Sequence, residues 1–447
     1  MSNQATKTLL LSTIIHGFEQ RVNQSMRYAE SHPEASLADL ERKARQVSRD
    51  CFAAVLEAEV EMRRQAAEEA PRCSSCGRLL AYKGDQVRQL ETYVGRITLR
   101  RGYYYCRFCR KGCYPLDEAL DIGSGQFSDG VQSGVSRLAA REPFRAAADD
   151  FTALTGISIA GREVERLSEE RGKVLEAHRA AERARLIAGE VVASTKREGK
   201  AGVWAVALDA AKGHFKDGWH DVKAGVVFWA KPKVGGDEIA GAQGGEQSYV
   251  VEVGSLEEAG WKLYAEAVRR GIDTARDLVV CLGDGAPGNW KQFLMHFPKR
   301  VEILDWWHAL DHLWAAGKGL YGEGTDEAKA WVKAREAELW AGDVEAVIAA
   351  LKAEADKPRG KAAADEIHYF ETNKERMRYD RFRACGYPIG SGTVESACKR
   401  LIAARIRESG MIWTQLGARA ILALRAELLS DRWDEAWRDT RRLRRAA

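Results

Sequence analysis

The chain has 447 residues, 45% of them hydrophobic and 30% charged, with a formal net charge of +4. That composition describes a folded chain of roughly three domains and excludes a collagen-like or wholly disordered one. No run reaches the ~18 uninterrupted apolar residues of a membrane span, and the short apolar stretch at residues 9–15 lacks a cleavage site, so a cytoplasmic protein without a membrane partner is expected.

Residues 1–70 read as a helical region in which Ile14, Phe18, Val22 and Met26 form one amphipathic stripe, closed by Pro71. In residues 71–118 the period becomes two: Leu90, Thr92 and Val94 alternate on one strand and Ile97, Leu99 and Arg101 on the next, with Gly95 at the turn. Residues 119–200 return to helix, with a candidate helix-turn-helix over 143–172, Thr155-Gly156-Ile157 as its turn and Ser158 as its cap. Past a charged linker at 196–200, apolar runs at 202–211 and 222–230 predict two strands, and 235–245 reads as a solvated loop. A helix (256–270), a strand (277–283), another helix and a strand (301–304) follow, and that order implies an α/β sheet. From Trp306 to about Arg383 the chain is helical; a glycine-rich break at 386–392 precedes a final helical, arginine-rich region.

Five of the nine cysteines fall within 41 residues. Cys73-x-x-Cys76 and Cys106-x-x-Cys109 are two knuckles, 29 residues apart, whose four thiolates would complete a tetrahedral zinc site on a hairpin. A closed site of four thiolates is structural, because no coordination position remains for a substrate. Cys113 is a spare fifth thiol. Between Arg72 and Lys111 there are ten Lys/Arg against two acids, interleaved with tyrosines. Arg96, Arg100, Arg101 and Lys111 are therefore candidate contacts to a phosphate backbone, as are Lys399 and Arg400 near the C-terminus; a merely solubilising face is the plainer reading.

Three carboxylates stand out. Asp209 ends one apolar strand and Asp284 another, and burying an acid there is costly without a cation or several donors. Glu395 lies in the first turn of a helix opened by Gly390-Ser391-Gly392. Each has an ordinary explanation, as a strand-end turn residue or a helix-start acid. Together they could hold Mg²⁺, a hard cation that prefers oxygen ligands. Gly283-Asp284-Gly285-Ala286-Pro287-Gly288 also spells the dinucleotide fingerprint, with Asp305 about twenty residues on. An acid between the first two glycines would repel a pyrophosphate, so that reading is set aside. Asp305-Trp306-Trp307-His308 and His312 could form a metal triad, but no HExxH glutamate accompanies them, and roles either structural or in support of neighbouring ligands are expected.

These stretches, with Arg100 to Cys106, Tyr387 to Lys399 and Ser409-Gly410-Met411-Ile412-Trp413, resemble bacterial insertion-sequence transposases of the DDE type, Kra group, over residues 73 to about 430. The resemblance implies an α/β ribonuclease-H-like catalytic core with a helical insertion, preceded by a zinc ribbon and helical DNA-binding or oligomerisation segments. Its parts would be an N-terminal helical region (1–70), the ribbon (71–118), a helical DNA-binding segment (119–200), the core (201–310 and 386–447) and the insertion (311–385). Carried over by position, Asp209, Asp284 and Glu395 become the ligands of two Mg²⁺ (or Mn²⁺) ions, and Asp305 and His308 an Asp-x-x-His element beside them. The implied partner is double-stranded DNA, both terminal inverted repeats and target, handled by a homo-oligomer in the nucleoid. Rival readings are a zinc-ribbon DNA-binding regulator with inert acids, and a ribonuclease-H-like nuclease or junction resolvase that cleaves without joining.

Overall fold

A computed structural model describes residues 3–65, 71–190, 202–231, 247–390, 392–408 and 410–446. The expected linker at 196–200, the loop at 235–245, Ser391, Ser409 and the side chain of Glu395 lie outside the described residues. The chain divides into two compact units: Met1–Ala139 with Pro143–Ser168 and Trp437–Ala447, and Ala140–Glu142 with Glu169–Ala436. It is a mixed α/β protein. No described helix is long and apolar enough to cross a membrane.

The first unit opens with helices α1 (Asn3–Ser31) and α2 (Leu37–Gln65). Ser36 and Asp39 cap α2 reciprocally: Ser36 N–H donates to Asp39 Oδ2 at 3.0 Å and Asp39 N–H to Ser36 Oγ at 3.3 Å. Strands β1 (Ala81–Thr92), β2 (Gly95–Cys106) and β3 (Lys111–Cys113) form an antiparallel sheet in that order. The β1–β2 turn is Tyr93-Val94, closed by the Thr92–Gly95 pair with Gly95 at φ +123°, so Val94 belongs to the turn and not to the strand. Alternation decides what β2 buries. Ile97 and Leu99 join Ala53 and Val60 of α2 in one core, while Arg96, Thr98 and Arg100 face outward.

Helices α3 (Pro115–Leu120), α4 (Asp129–Ala139) and α5 (Phe144–Thr155) follow, then α6 (Gly161–Ile187), whose residues are divided between the units. Val131, Val135, Ala147, Phe151, Ile157 and Val164 bury together, so α4, α5 and the start of α6 make a small helical core. Gly156, at φ +71°, ends α5 as a turn should. Ser158 does not cap α6. The first helical bonds are accepted by Ala160 O, two residues later, and α6 runs on well past the expected end at Gly172.

The second unit is built on a five-stranded sheet of order β6-β5-β4-β7-β8. β4 (Val203–Phe215), β5 (Gly218–Ala230) and β6 (Gln247–Val253) are an antiparallel meander. β7 (Val279–Gly283) pairs parallel to β4, and β8 (Arg300–Leu304) parallel to β7. Helices α7 (Leu256–Arg269) and α8 (Pro287–His296) make the crossovers. Five helices then run in succession: α9 (Trp306–Tyr321), α10 (Asp326–Trp340), α11 (Val344–Ala355), α12 (Lys361–Asn373) and α13 (Tyr379–Ala384). The chain returns to the sheet through α14 (Gly392–Ala397), a π-helical turn at Cys398–Ala403 and α15 (Ala404–Ile406), and ends in α16 (Gln415–Leu429) and α17 (Trp433–Ala446). Gly172 is where α6 meets α16: a Cβ there would lie 2.2 Å from Ala420 O, so only glycine permits the approach.

Candidate functional site

Two constellations carry chemistry, one in each unit. In the first unit Cys73, Cys76, Cys106 and Cys109 bring their sulfurs within 4.8 Å of one another. Each knuckle is a tight turn whose fifth residue is left-handed, Gly77 (φ +70°) and Arg110 (φ +55°), with Gly77 N–H donating to Cys73 O at 2.8 Å and Arg110 N–H to Cys106 O at 2.9 Å. The Cys76 and Cys106 sulfurs are 3.6 Å apart, near the roughly 3.8 Å edge of a tetrahedron with 2.3 Å Zn–S bonds. A backbone hydrogen bond from Ser75 holds the Cys73 thiol down to about 6, while shared protons with Cys76 push Cys109 up to about 12. Four thiolates cannot ionise side by side unless a divalent cation neutralises them, and these four can hold a metal ion such as zinc. Cys113 packs against the cluster as a half-buried thiol, raised by burial, and is not one of the four.

The ribbon's arginines divide by strand parity. Arg96 and Arg100 are exposed, Arg96 tightly paired with Glu91 (2.5 Å) and Arg100 more loosely with Asp85 (3.4 Å), and Lys111 Nζ lies 3.3 Å from Ser75 Oγ. Arg101 is different. It is buried, bonded to Asp117 and stacked 4.2 Å over the Tyr114 ring, so it serves the fold and is not free to meet a phosphate.

In the second unit the acids gather where β4 and β7 part. Asp209 does not end its strand. β4 runs on to Phe215 as one arm of a hairpin with β5, but its pairing with β7 stops at Ala207–Leu282, and Asp209 lies two residues beyond. Asp284 follows the last residue of β7. Asn289, buried in the first turns of α8, links the two: its Nδ2 donates to Leu208 O at 3.2 Å and to Asp284 Oδ1 at 3.0 Å. Burial pushes the Asp209 carboxyl above its usual range, and the charge of Asp284 adds to this, against hydrogen bonds from Ala210 N–H (2.6 Å) and the Cys398 thiol (3.5 Å).

Asp305 is buried and caps α9, accepting from His308 N–H at 3.2 Å and from His308 Nδ1 at 2.6 Å. That bond, with the charges of Asp305, Asp284 and Asp209, pushes the imidazole up to about 9. Glu395 belongs to α14, which packs on β4 and β5. Cys398, whose thiol touches Asp209, follows it by three residues, about one turn. Lys399 and Arg400 are exposed beside it on the π-helical turn, a distortion that recurs at functional sites. Among the described residues, Asp209 and Asp284 do not join a third ligating side chain at the spacing the cysteines show.

Three residues at this site have no signature in the sequence: Asn289, Tyr369 and Glu366. Tyr369 of α12 donates to Asp284 O at 2.9 Å and stacks on His312 with 3.6 Å between ring centres, and His312 Nδ1 is 2.6 Å from Glu366 Oε2. The Tyr369 ring also packs over Gly285, where a Cβ would come within 2.6 Å of it.

Residues 32–193 match an uncharacterised protein family, UPF0236. The match takes in α2, the ribbon and the helices up to α6, and stops before β4. No curated protein matches the chain.

Proposed function

We propose that this chain is a DNA transposase of the DDE type, Kra group, with a ribonuclease-H-like core that cleaves and joins phosphodiesters at insertion-sequence ends. The observation that carries the reading is the pairing of Asp209 and Asp284 across two parallel strands, joined by Asn289, with the helix of Glu395 led back to Asp209 by Cys398. The run of helices α9 to α13, which follows β8 and precedes the glutamate, supports it further. In this reading Asp209, Asp284 and Glu395 would hold two Mg²⁺ or Mn²⁺ ions, which would polarise the phosphoryl oxygens and lower the pKa of an attacking water. Asp305 orients His308 through a 2.6 Å hydrogen bond to its Nδ1. Arg96, Arg100 and Lys111 of the ribbon, with Lys399 and Arg400, would meet DNA phosphates, the two ribbon arginines exchanging their present partners Glu91 and Asp85 for phosphate.

The test uses Asp284→Asn on end DNA. End binding is expected to persist while Mn²⁺-dependent cleavage falls on the order of 10³-fold or more, about 4 kcal/mol of barrier. Unimpaired cleavage refutes the acid site. Cleavage without joined products would leave the nuclease reading, and binding by the unaltered chain without any cleavage would leave the regulator.

A further inference from the structure

The hairpin of α1 and α2 leaves an apolar groove open along its length. Ile15, Phe18, Val22 and Met26 of α1 and Val47, Cys51, Phe52 and Val55 of α2 line it. Ile15 and Phe52 are each 56% exposed, Phe18 51% and Met26 60%. The residues lie on continuous ridges: Leu11, Ile15, Phe18, Val22, Ser25 and Ala29 on one helix recur at gaps of four and three, which is the spacing of a helix that packs along its whole length against another. So large an apolar strip on a charged hairpin implies an occupant.

We infer that the occupant is a second copy of this chain, docked about a two-fold axis through Phe52 so that the two hairpins make an antiparallel four-helix bundle. An isologous contact requires a surface that complements itself. The outer ridge of α2 does so. It runs Glu41, Arg45, Ser48, Phe52, Val55, Glu59, Arg63. Glu41 and Arg63 lie eleven residues either side of Phe52, and Arg45 and Glu59 lie seven. In an antiparallel pair centred on Phe52, each acid therefore faces a base on the other copy. A parallel pairing in register would set Glu41 on Glu41 and Arg63 on Arg63. All four are exposed, although Arg45 also donates to Leu154 O at 2.7 Å.

The same axis suits α1. Ile15 and Phe18 stand level with Phe52 across the hairpin, lining the same groove, so the axis also passes through the middle of the α1 ridge. Size agrees as well. Helices of 29 residues are about 43 Å long, and two side by side offer a face of about 850 Å², close to the ~800 Å² per partner of a stable interface. The inference stands independently of what the second unit catalyses.

Sedimentation of the full, zinc-loaded chain tests it. A dimer at twice the 49.7 kDa chain mass is expected, with a dissociation constant on the order of 1 µM or tighter. Phe52→Glu and, separately, Ile15→Glu alter exposed positions and should leave the circular dichroism unchanged while weakening the dimer about 100-fold or more, because each buries two carboxylates at the axis. Glu41→Arg should weaken it by up to about tenfold, and Glu41→Arg with Arg63→Glu should restore it. A monomer at every concentration overturns the inference. So does a dimer indifferent to both Phe52→Glu and Ile15→Glu, or a charge reversal that the second reversal fails to rescue.

Discussion

Asn289→Ala probes the acid site through a residue that carries no charge. Its side chain is 6% exposed, and one amide group bonds both to the carbonyl preceding Asp209 and to the carboxylate of Asp284. The lost bond to a backbone carbonyl is worth about 1 kcal/mol and the bond to a carboxylate about 1.5–3 kcal/mol, part of which water entering the vacated space returns, so a net loss of about 2–3 kcal/mol is expected. Asp284 would keep its bond from Ala286 N–H at 3.0 Å but lose the contact that sets its distance from β4. A displacement of about 1 Å in such a site costs on the order of 10²-fold in rate. Urea unfolding should therefore show a modest loss of stability, and Mn²⁺-dependent cleavage of end DNA a much larger loss of activity under conditions where the variant is fully folded. Cleavage that falls only as far as the folded fraction falls would refute the idea that this amide sets the spacing of the acids.

Two further outcomes follow from the geometry. Metal analysis should find one zinc per chain, lost in Cys106→Ser, and chelation should melt the ribbon, because binding energy of about 10 kcal/mol or more is folding energy in such sites; four titratable thiols with no bound zinc would contradict this. Glu427→Gln should destabilise the second unit by roughly 3 kcal/mol at neutral pH. Burial raises the Glu427 carboxyl, but Arg432, Arg179 and Arg269 outweigh it and hold the group at about 2 in place of 4.5. A depressed carboxylate contributes its stability above pH 4.5 and loses it as pH falls through about 2, so the gap between the two proteins should close over that range. A gap unchanged by pH would show that packing, not charge, holds Glu427.

What the sequence made legible was what short-range pattern encodes. The cysteine spacing is itself the signal, and the two knuckles close with the turn residues that follow them, Gly77 and Arg110. The parity that buries Ile97 and Leu99 also places Arg101 on the core side, so its charge belongs to the interior of the ribbon and not to a phosphate surface. Asp209 was harder to place, because an apolar run does not reveal where a strand exchanges one neighbour for another. β4 continues past the acid, and only the end of its pairing with β7 makes Asp209 an edge position. Asn289, Tyr369 and Cys398 act across separations of 81, 85 and 189 residues, and no local rule anticipates such contacts.

The most direct measurement of the central claim is the anomalous diffraction of Mn²⁺ in crystals of the full chain bound to end DNA. The account predicts manganese lodged between β4 and β7 with oxygens of Asp209, Asp284 and Glu395 in its coordination sphere, and no such peak in Asp284→Asn. Manganese bound elsewhere, or the Glu395 carboxylate turned away from Asp209 with DNA in place, would contradict it.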